Sequence, residues 1–449
     1  MKNKITKYCD WIIQSCLCFA IFCLPFAKAG IETFVWFAIF IWLFKMVFRY
    51  KRNPLSKIFP QTTLNKALII FIIFNAISTI FSINLGLSLR GFLGKELKFI
   101  AVYFMIAEVV NNKKRLNSII IALTASVVLI IPDAATQYFR GVDFLKGYEW
   151  SRLTASFSTA NGFAAWLILV IPFFLGLLRT DKIIMKELKF LLPILIAPLC
   201  VCLLMTYARG AWIGFTAGVL FMIYYAIKGS VLKIKILFLS VIAFLMIIFF
   251  FLPRSIKTQI KTIGEIKFRS EETIKERLKS TTKLNEGSII VRRHLWREAL
   301  MIVEDYPLFG CGLNTYSAII RNYKIFNITG YYTHNSYLHM AAETGLLGLL
   351  VFLWVLFKFF RIGIRHFNQT KNYLVLGLLS GLLAFLVHAF FDTHLYSLQL
   401  VVLFWFMMGL TVAVIKIDEG EGKITAEIVS SDRCSSHGRN SFLEKTTDS

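Results

Sequence analysis

Apolar residues fall in long blocks along this chain, unlike the scattered helical spacing of a soluble core. A membrane-crossing helix needs about 20 mostly apolar residues. Many stretches qualify, 233–252 and 345–360 among them. The pattern predicts about twelve spans, at 10–24, 30–48, 64–84, 95–110, 116–138, 160–178, 188–206, 210–227, 233–252, 345–360, 372–391 and 396–415. The expected fold class is therefore all-α, a polytopic integral membrane protein. The fourth span is short and carries Lys95, Glu96 and Lys98 near its start. The first is short too. No small-residue cleavage site follows it and further spans come at once, so it reads as a retained helix and not as a signal peptide.

Polar stretches divide the chain further. Residues 1–252 hold the first nine spans with short loops, and 253–344 form one large loop with Arg, Lys and Glu interspersed. That loop is long enough for a small helical subdomain. Residues 345–415 hold the last three spans. The tail, 416–449, contains Gly420, Gly422 and a Ser/Thr-rich run, and reads as a disordered cytoplasmic extension.

Basic residues alternate between connections. Lys2, Lys4 and Lys7 begin one series, continued by Arg49, Lys51, Arg52 and Lys57, then Lys113, Lys114 and Arg115. Arg179, Lys182, Lys186 and Lys189 follow, then Lys228, Lys233 and Lys235, then Lys358, Arg361, Arg365 and Lys371. The intervening short connections hold fewer: Lys28; Arg90; Arg140, Lys146 and Arg152; Arg209. Cytoplasmic loops are enriched in Lys and Arg, which puts both termini in the cytoplasm and the large loop outside it.

Composition agrees. The chain is 57% hydrophobic and 17% charged, with a mean hydropathy of +0.65; soluble domains are about a quarter charged. A net charge of +24 could suggest nucleic acid. The cytoplasmic loops account for most of it and would lie against anionic lipid, so no nucleic-acid partner is expected. The eight cysteines include no paired extracytoplasmic set and imply no disulfide framework. No metal-ligand spacing and no phosphate-binding loop of the Walker type occurs.

Three segments could carry chemistry. On a helix, VRRHLWREALMIVEDYPLFGCG gathers Leu295, Trp296, Ala299, Leu300, Ile302 and Val303 on one apolar face, with Arg292 in its middle. Arg293, Arg297 and Glu304 group on a polar side. A guanidinium on a packing face needs an anionic partner, either a protein carboxylate or a ligand phosphate. Pro307, Gly310 and Gly312 then end the helix in a tight turn. In THNSYLHMAAETGLLGLL, His334 precedes a helix for which Thr333, Asn335 and Ser336 are candidate caps. Its imidazole suits a general base, or equally a cap or a packing partner for tyrosine. His339 and Glu343, spaced i, i+4, read as a structural pair.

In the third segment, Arg209 sits between two spans with almost no loop. Ala208, Gly210, Ala211, Gly214, Ala217 and Gly218 allow close helix packing. That packing could hold Arg209 inward, where it needs an anionic ligand; the alternative is snorkelling to headgroups. Arg152 and Asn161 flank the outer entrance of the sixth span, and Asp392 and His394 occupy the outer turn between the last two. Each of these also reads as a cap or surface anchor.

Together these features resemble the O-antigen ligase and polysaccharide polymerase family of bacterial envelope enzymes, and the ligases most. The resemblance rests on R-x3-W-x2-A-L from Arg292, P-L-x-G-x-G from Pro307, H-N-S-Y-L from His334, E-T-G-L-L-G from Glu343, and RGAW from Arg209. It implies a fold related to the type C glycosyltransferases and a glycan donor on undecaprenyl pyrophosphate. It implies inverting transfer, without metal or other cofactor, to a lipid A–core acceptor at the periplasmic face of the inner membrane. By the same resemblance, Arg209 and Arg292 would hold the pyrophosphate and His334 would be the base, with Arg152, Asn161 and Asp392 supporting. A polymerase or a protein O-oligosaccharyltransferase would share these features. A transporter fits less well, since no inverted repeat is visible and mid-span ionisable residues are few.

Overall fold

A computed structural model describes residues 2–50, 60–147, 152–180, 186–228, 291–324 and 332–443. Among them the regular elements are helical. α1 (Lys2–Cys23) and α2 (Lys28–Tyr50) form a hairpin. α3 (Asn65–Ile80) follows, then α4 (Leu85–Gly91), which a π turn at Phe92–Glu96 joins to α5 (Leu97–Val109). Next come α6 (Lys113–Arg140), α7 (Ala160–Leu178), α8 (Lys186–Met205) and α9 (Arg209–Ile227). The described part of the large loop contains α10, over 291–305. α11 (Ser336–Thr370), α12 (Tyr373–His388) and α13 (Leu398–Leu443) complete the bundle.

Among the described residues, seven helices are long and apolar enough to cross a membrane: Lys4–Cys23, Lys28–Arg49, Lys113–Arg140, Ala160–Leu178, Arg209–Ile227, Ser336–Thr370 and Leu398–Glu421. Asn65–Ile80, Lys189–Met205 and Tyr373–His388 are shorter apolar helices. The chain is a multi-pass membrane protein on these helices. The expected span at 233–252 lies outside the described residues. The expected span at 95–110 falls on α5, whose 13 residues measure about 20 Å, less than the hydrocarbon core of about 30 Å. The π turn continues that helix back through α4.

The last helix runs from Leu398 to Leu443. Its first turn beyond 415 is pinned: Asp418 Oδ2 accepts from Asn372 Nδ2 at 2.7 Å and lies 2.9 Å from His366 Nε2. Lys113 also pairs with Glu421 at 2.8 Å.

Glycines set the tightest crossings. A Cβ on Gly176 would come within 2.9 Å of Gly377 Cα, and one on Gly218 would run into Ser380 O. α12 is thereby clamped between α7 and α9 at near-backbone contact, as small residues permit in membrane bundles.

The turn after α10 grips a break in α11. Gly345, at φ 74° and ψ 174°, interrupts that helix. Cys311 N donates to Ala342 O and Gly312 N to Glu343 O, both at 2.9 Å, and Leu346 N donates to Pro307 O at 2.8 Å. Gly310 has φ +72°, and a Cβ on either Gly310 or Gly345 would collide with the other segment's backbone. Serines of the α3–α4 region close the clasp. Ser78, Ser82 and Ser88 donate to the carbonyls of Phe309, Cys311 and Leu313 at 2.7, 3.2 and 2.9 Å. Behind the clasp a small apolar core forms from Ala299, Ile302, Tyr316, Ile320 and Ala342.

Candidate functional site

His334 stands at the tip of a stitched turn. Asn335 caps α11, its Oδ1 accepting from Tyr337 N at 3.0 Å and Leu338 N at 3.1 Å. Thr333 Oγ1 accepts from Asn335 N at 3.1 Å. Ser336 N donates to Ala389 O at 2.8 Å and Ser336 Oγ to Asp392 O at 2.9 Å, tying this turn to the one after α12. His334 itself is held at φ +50°, unusual for a residue with a side chain. Such strain persists where the surroundings over-determine it.

A polar chain starts from its ring. His334 Nδ1 lies 2.9 Å from Asp392 Oδ1, which also accepts from Thr393 N at 2.8 Å. Asp392 Oδ2 accepts from Asn161 Nδ2 at 2.7 Å. Asn161 Oδ1 accepts from an Arg152 guanidinium nitrogen at 3.2 Å, and Arg152 Nε donates to Thr206 O at 2.8 Å. Thr206 leads through Tyr207, at φ +51°, to Arg209 at the start of α9.

Burial would raise the Asp392 carboxyl. The hydrogen bond from His334, the nearby His394 and His334 charges and the bond from Asn161 outweigh it and hold it well below the ordinary carboxylate range. An ionised carboxylate can only accept, so His334 must present Nδ1–H to it. Neutral His334 therefore keeps its lone pair on Nε2. Its side chain is 42% exposed against 14% for Asp392, so the imidazole is the accessible end of the pair.

Three guanidinium groups gather here. Burial, then the charges of Arg292 and Arg209, push Arg152 below the usual arginine value, with Asp392 opposing. Among the described residues no carboxylate pairs with Arg209 or Arg292. Like charges grouped in a partly buried place favour a bound anion.

α10 places Arg292 through its neighbour one turn on. Trp296 packs edge-on against Phe390 with ring centroids 5.7 Å apart, and Leu295, Ala299 and Ile302 are buried. Arg292 is half-buried on that side, while Arg293, Arg297 and Glu304 are exposed. Leu300 departs from the expected apolar face and is 47% exposed, because the face that docks is narrower than the sequence pattern. Glu298, by contrast, is buried.

The structure thus brings together all six residues singled out in the sequence: Arg152, Asn161, Arg209, Arg292, His334 and Asp392. Sequence reasoning missed His388. Its Nδ1 lies 3.0 Å from His394 Nε2, and both rings are buried behind Asp392. A histidine closing an apolar helix carries no distinguishing signal. Burial first, then the charges of His334 and Arg292, push His394 down to about 4, although Asp392 opposes.

Residues 193–353 match the family model described as O-antigen ligase. That segment is similar to the O-antigen ligase family over about a third of the chain. The match implies a ligase- or glycosyltransferase-type enzyme of envelope polysaccharide transfer, working between a lipid-linked glycan and a lipid acceptor. No curated protein matches the chain. The O-antigen ligase segment contains Arg209, Arg292, His334 and the Gly310–Gly345 clasp. Arg152, Asn161 and Asp392 lie outside it and reach the site through the fold.

Proposed function

We propose that the chain transfers an undecaprenyl-pyrophosphate-linked O-antigen polysaccharide to the lipid A–core oligosaccharide, at the periplasmic face of the inner membrane. One observation carries this reading: three guanidinium groups gather at a carboxylate-oriented imidazole. The reading includes about twelve spans, both termini in the cytoplasm, and a fold related to the type C glycosyltransferases.

In this mechanism Arg209 and Arg292, flanked by Arg152, hold the pyrophosphate. The donor arrives already activated. Its sugar–phosphate bond breaks as negative charge develops on the leaving oxygen, which fixed guanidinium groups stabilise. The acceptor hydroxyl attacks the anomeric carbon from the opposite face, which inverts that centre. His334 Nε2 takes the hydroxyl proton. Asp392 keeps the ring in the required tautomer and stabilises the imidazolium that forms. Asn161 holds Asp392 and Arg152 at fixed separation.

Gene deletion tests the assignment. A ligase mutant loses all capped lipopolysaccharide on a gel and keeps long glycan on the lipid carrier. A core bearing one repeat unit would instead assign a polymerase. Unchanged long chains would overturn both.

A further inference from the structure

A cavity of about 250 Å³ shares two chain segments with the candidate site, and the mechanism above leaves it unused. It is bounded by α3, the π turn, α5, the turn at 313–317, and the two segments that build the first site. Segment 332–340 gives His334 to one site and Tyr332, His339 and Met340 to the other. Segment 392–398 gives Asp392 to one and Leu395, Tyr396 and Leu398 to the other. Tyr332 stands two residues from His334, at most about 7 Å along the backbone.

The wall mixes hydrogen-bonding and aromatic groups. Glu32, Glu96 and Glu343 supply acceptors, Lys95 and Lys98 donors, and Asn75 both. The His339 ring lies 4.0 Å from Tyr396, 4.3 Å from Tyr316 and 5.7 Å from Tyr332, centroid to centroid. Two buried polar atoms in this wall stand out. Asn75 and His339 are 1% and 2% exposed, yet among the described residues Asn75 Oδ1 and His339 Nδ1 have no hydrogen-bond partner. Buried polar groups left unpaired are costly, so such atoms point to a partner that binds there. A π turn, which supplies Lys95 and Glu96, is also frequent at functional sites.

The chemistry selects the ligand. Lys98 is already paired with Glu32 at 2.8 Å, and Glu343 offsets Lys95, which disfavours a phosphate. No three His, Cys, Asp or Glu groups among the described residues converge to hold a metal ion. Hydroxyl groups both donate and accept, and suit a wall of carboxylate, amide and ammonium. The volume is below the roughly 300 Å³ at which pockets for drug-sized ligands begin, which suits a single ring. We propose that this cavity binds one neutral sugar ring of a glycan substrate, next to the linkage being made. The proposal rests on the glycan transfer put forward above, and the ring could belong to donor or acceptor.

Binding of delipidated oligosaccharide from the host's own envelope to the purified full chain in micelles tests it. Separate preparations from the core and from the carrier-linked glycan distinguish acceptor from donor. Asn75→Leu should weaken binding of one preparation at least tenfold. Ser317→Trp, at an exposed position on the rim, should do the same as Asn75→Leu without disturbing the interior. Equal binding by wild type and a folded Ser317→Trp protein overturns the proposal, as does a cavity that takes up neither preparation. Binding in a wild-type protein that transfers no glycan would sink the proposed function and leave the pocket standing.

Discussion

At the scale of single residues, the arrangement separates the imidazole's proton acceptance from its orientation. His334→Ala removes the base, and transfer should fall by about 10²–10⁴-fold with the protein still in the membrane. Asp392→Asn keeps the size and removes the charge that fixes the tautomer. It should lower kcat in the same range and leave donor KM nearly unchanged, measured with purified enzyme and lipid-linked substrates; a raised KM with normal kcat would assign Asp392 to binding. The buried histidine behind it sets a pH limit. His394 sits at about 4 in the fold against an ordinary 6.5, so between these values the unfolded chain binds the extra proton. The stabilisation is complete above about pH 6.5 and is lost as pH falls through 4. The thermal midpoint in detergent should drop across that window, and His394→Asn should flatten the drop. The place of Arg292 on the docking side of its helix was legible from helical phasing. The Asp392–Asn161–Arg152 chain was not, because Asn161 and Asp392 meet across 231 positions and no local pattern encodes such a contact.

Among the elements, the apolar helices follow from the blocked pattern, since lipid requires each segment to satisfy its own backbone. What the pattern hid is the interruption in α11. Residues 336–370 read as one apolar helix with a polar start, yet Gly345 breaks it so that the turn after α10 can enter. Any side chain at Gly345 meets a left-handed backbone and the Leu308 carbonyl at once. A side chain at positive φ with extended ψ alone costs about 1–3 kcal/mol. Gly345→Ala should therefore lower the thermal midpoint and reduce transfer together. A full-activity Gly345→Ala protein would mean that the clasp does not position His334. The Asp418 contacts with His366 and Asn372 were hidden for a related reason, since no local composition announces such partners.

For the molecule as a whole, orientation is the property the sequence states most openly. The basic residues alternate between connections over nearly the full length. A topology reporter inserted within 265–285 should report the periplasm; a cytoplasmic signal would invert the orientation. The site also draws on widely separated parts of the chain, from Arg152 to Asp392, and its last contributor lies in the turn between the final two helices. Chains are made from the N-terminus onward. A nascent protein that has inserted everything up to α11 already carries its three arginines and its histidine, with nothing to fix the ring. On the proposed mechanism, only the closing hairpin brings the Asp392 that locks this tautomer, which makes catalytic competence the final act of biogenesis and a truncated translation product silent in the membrane.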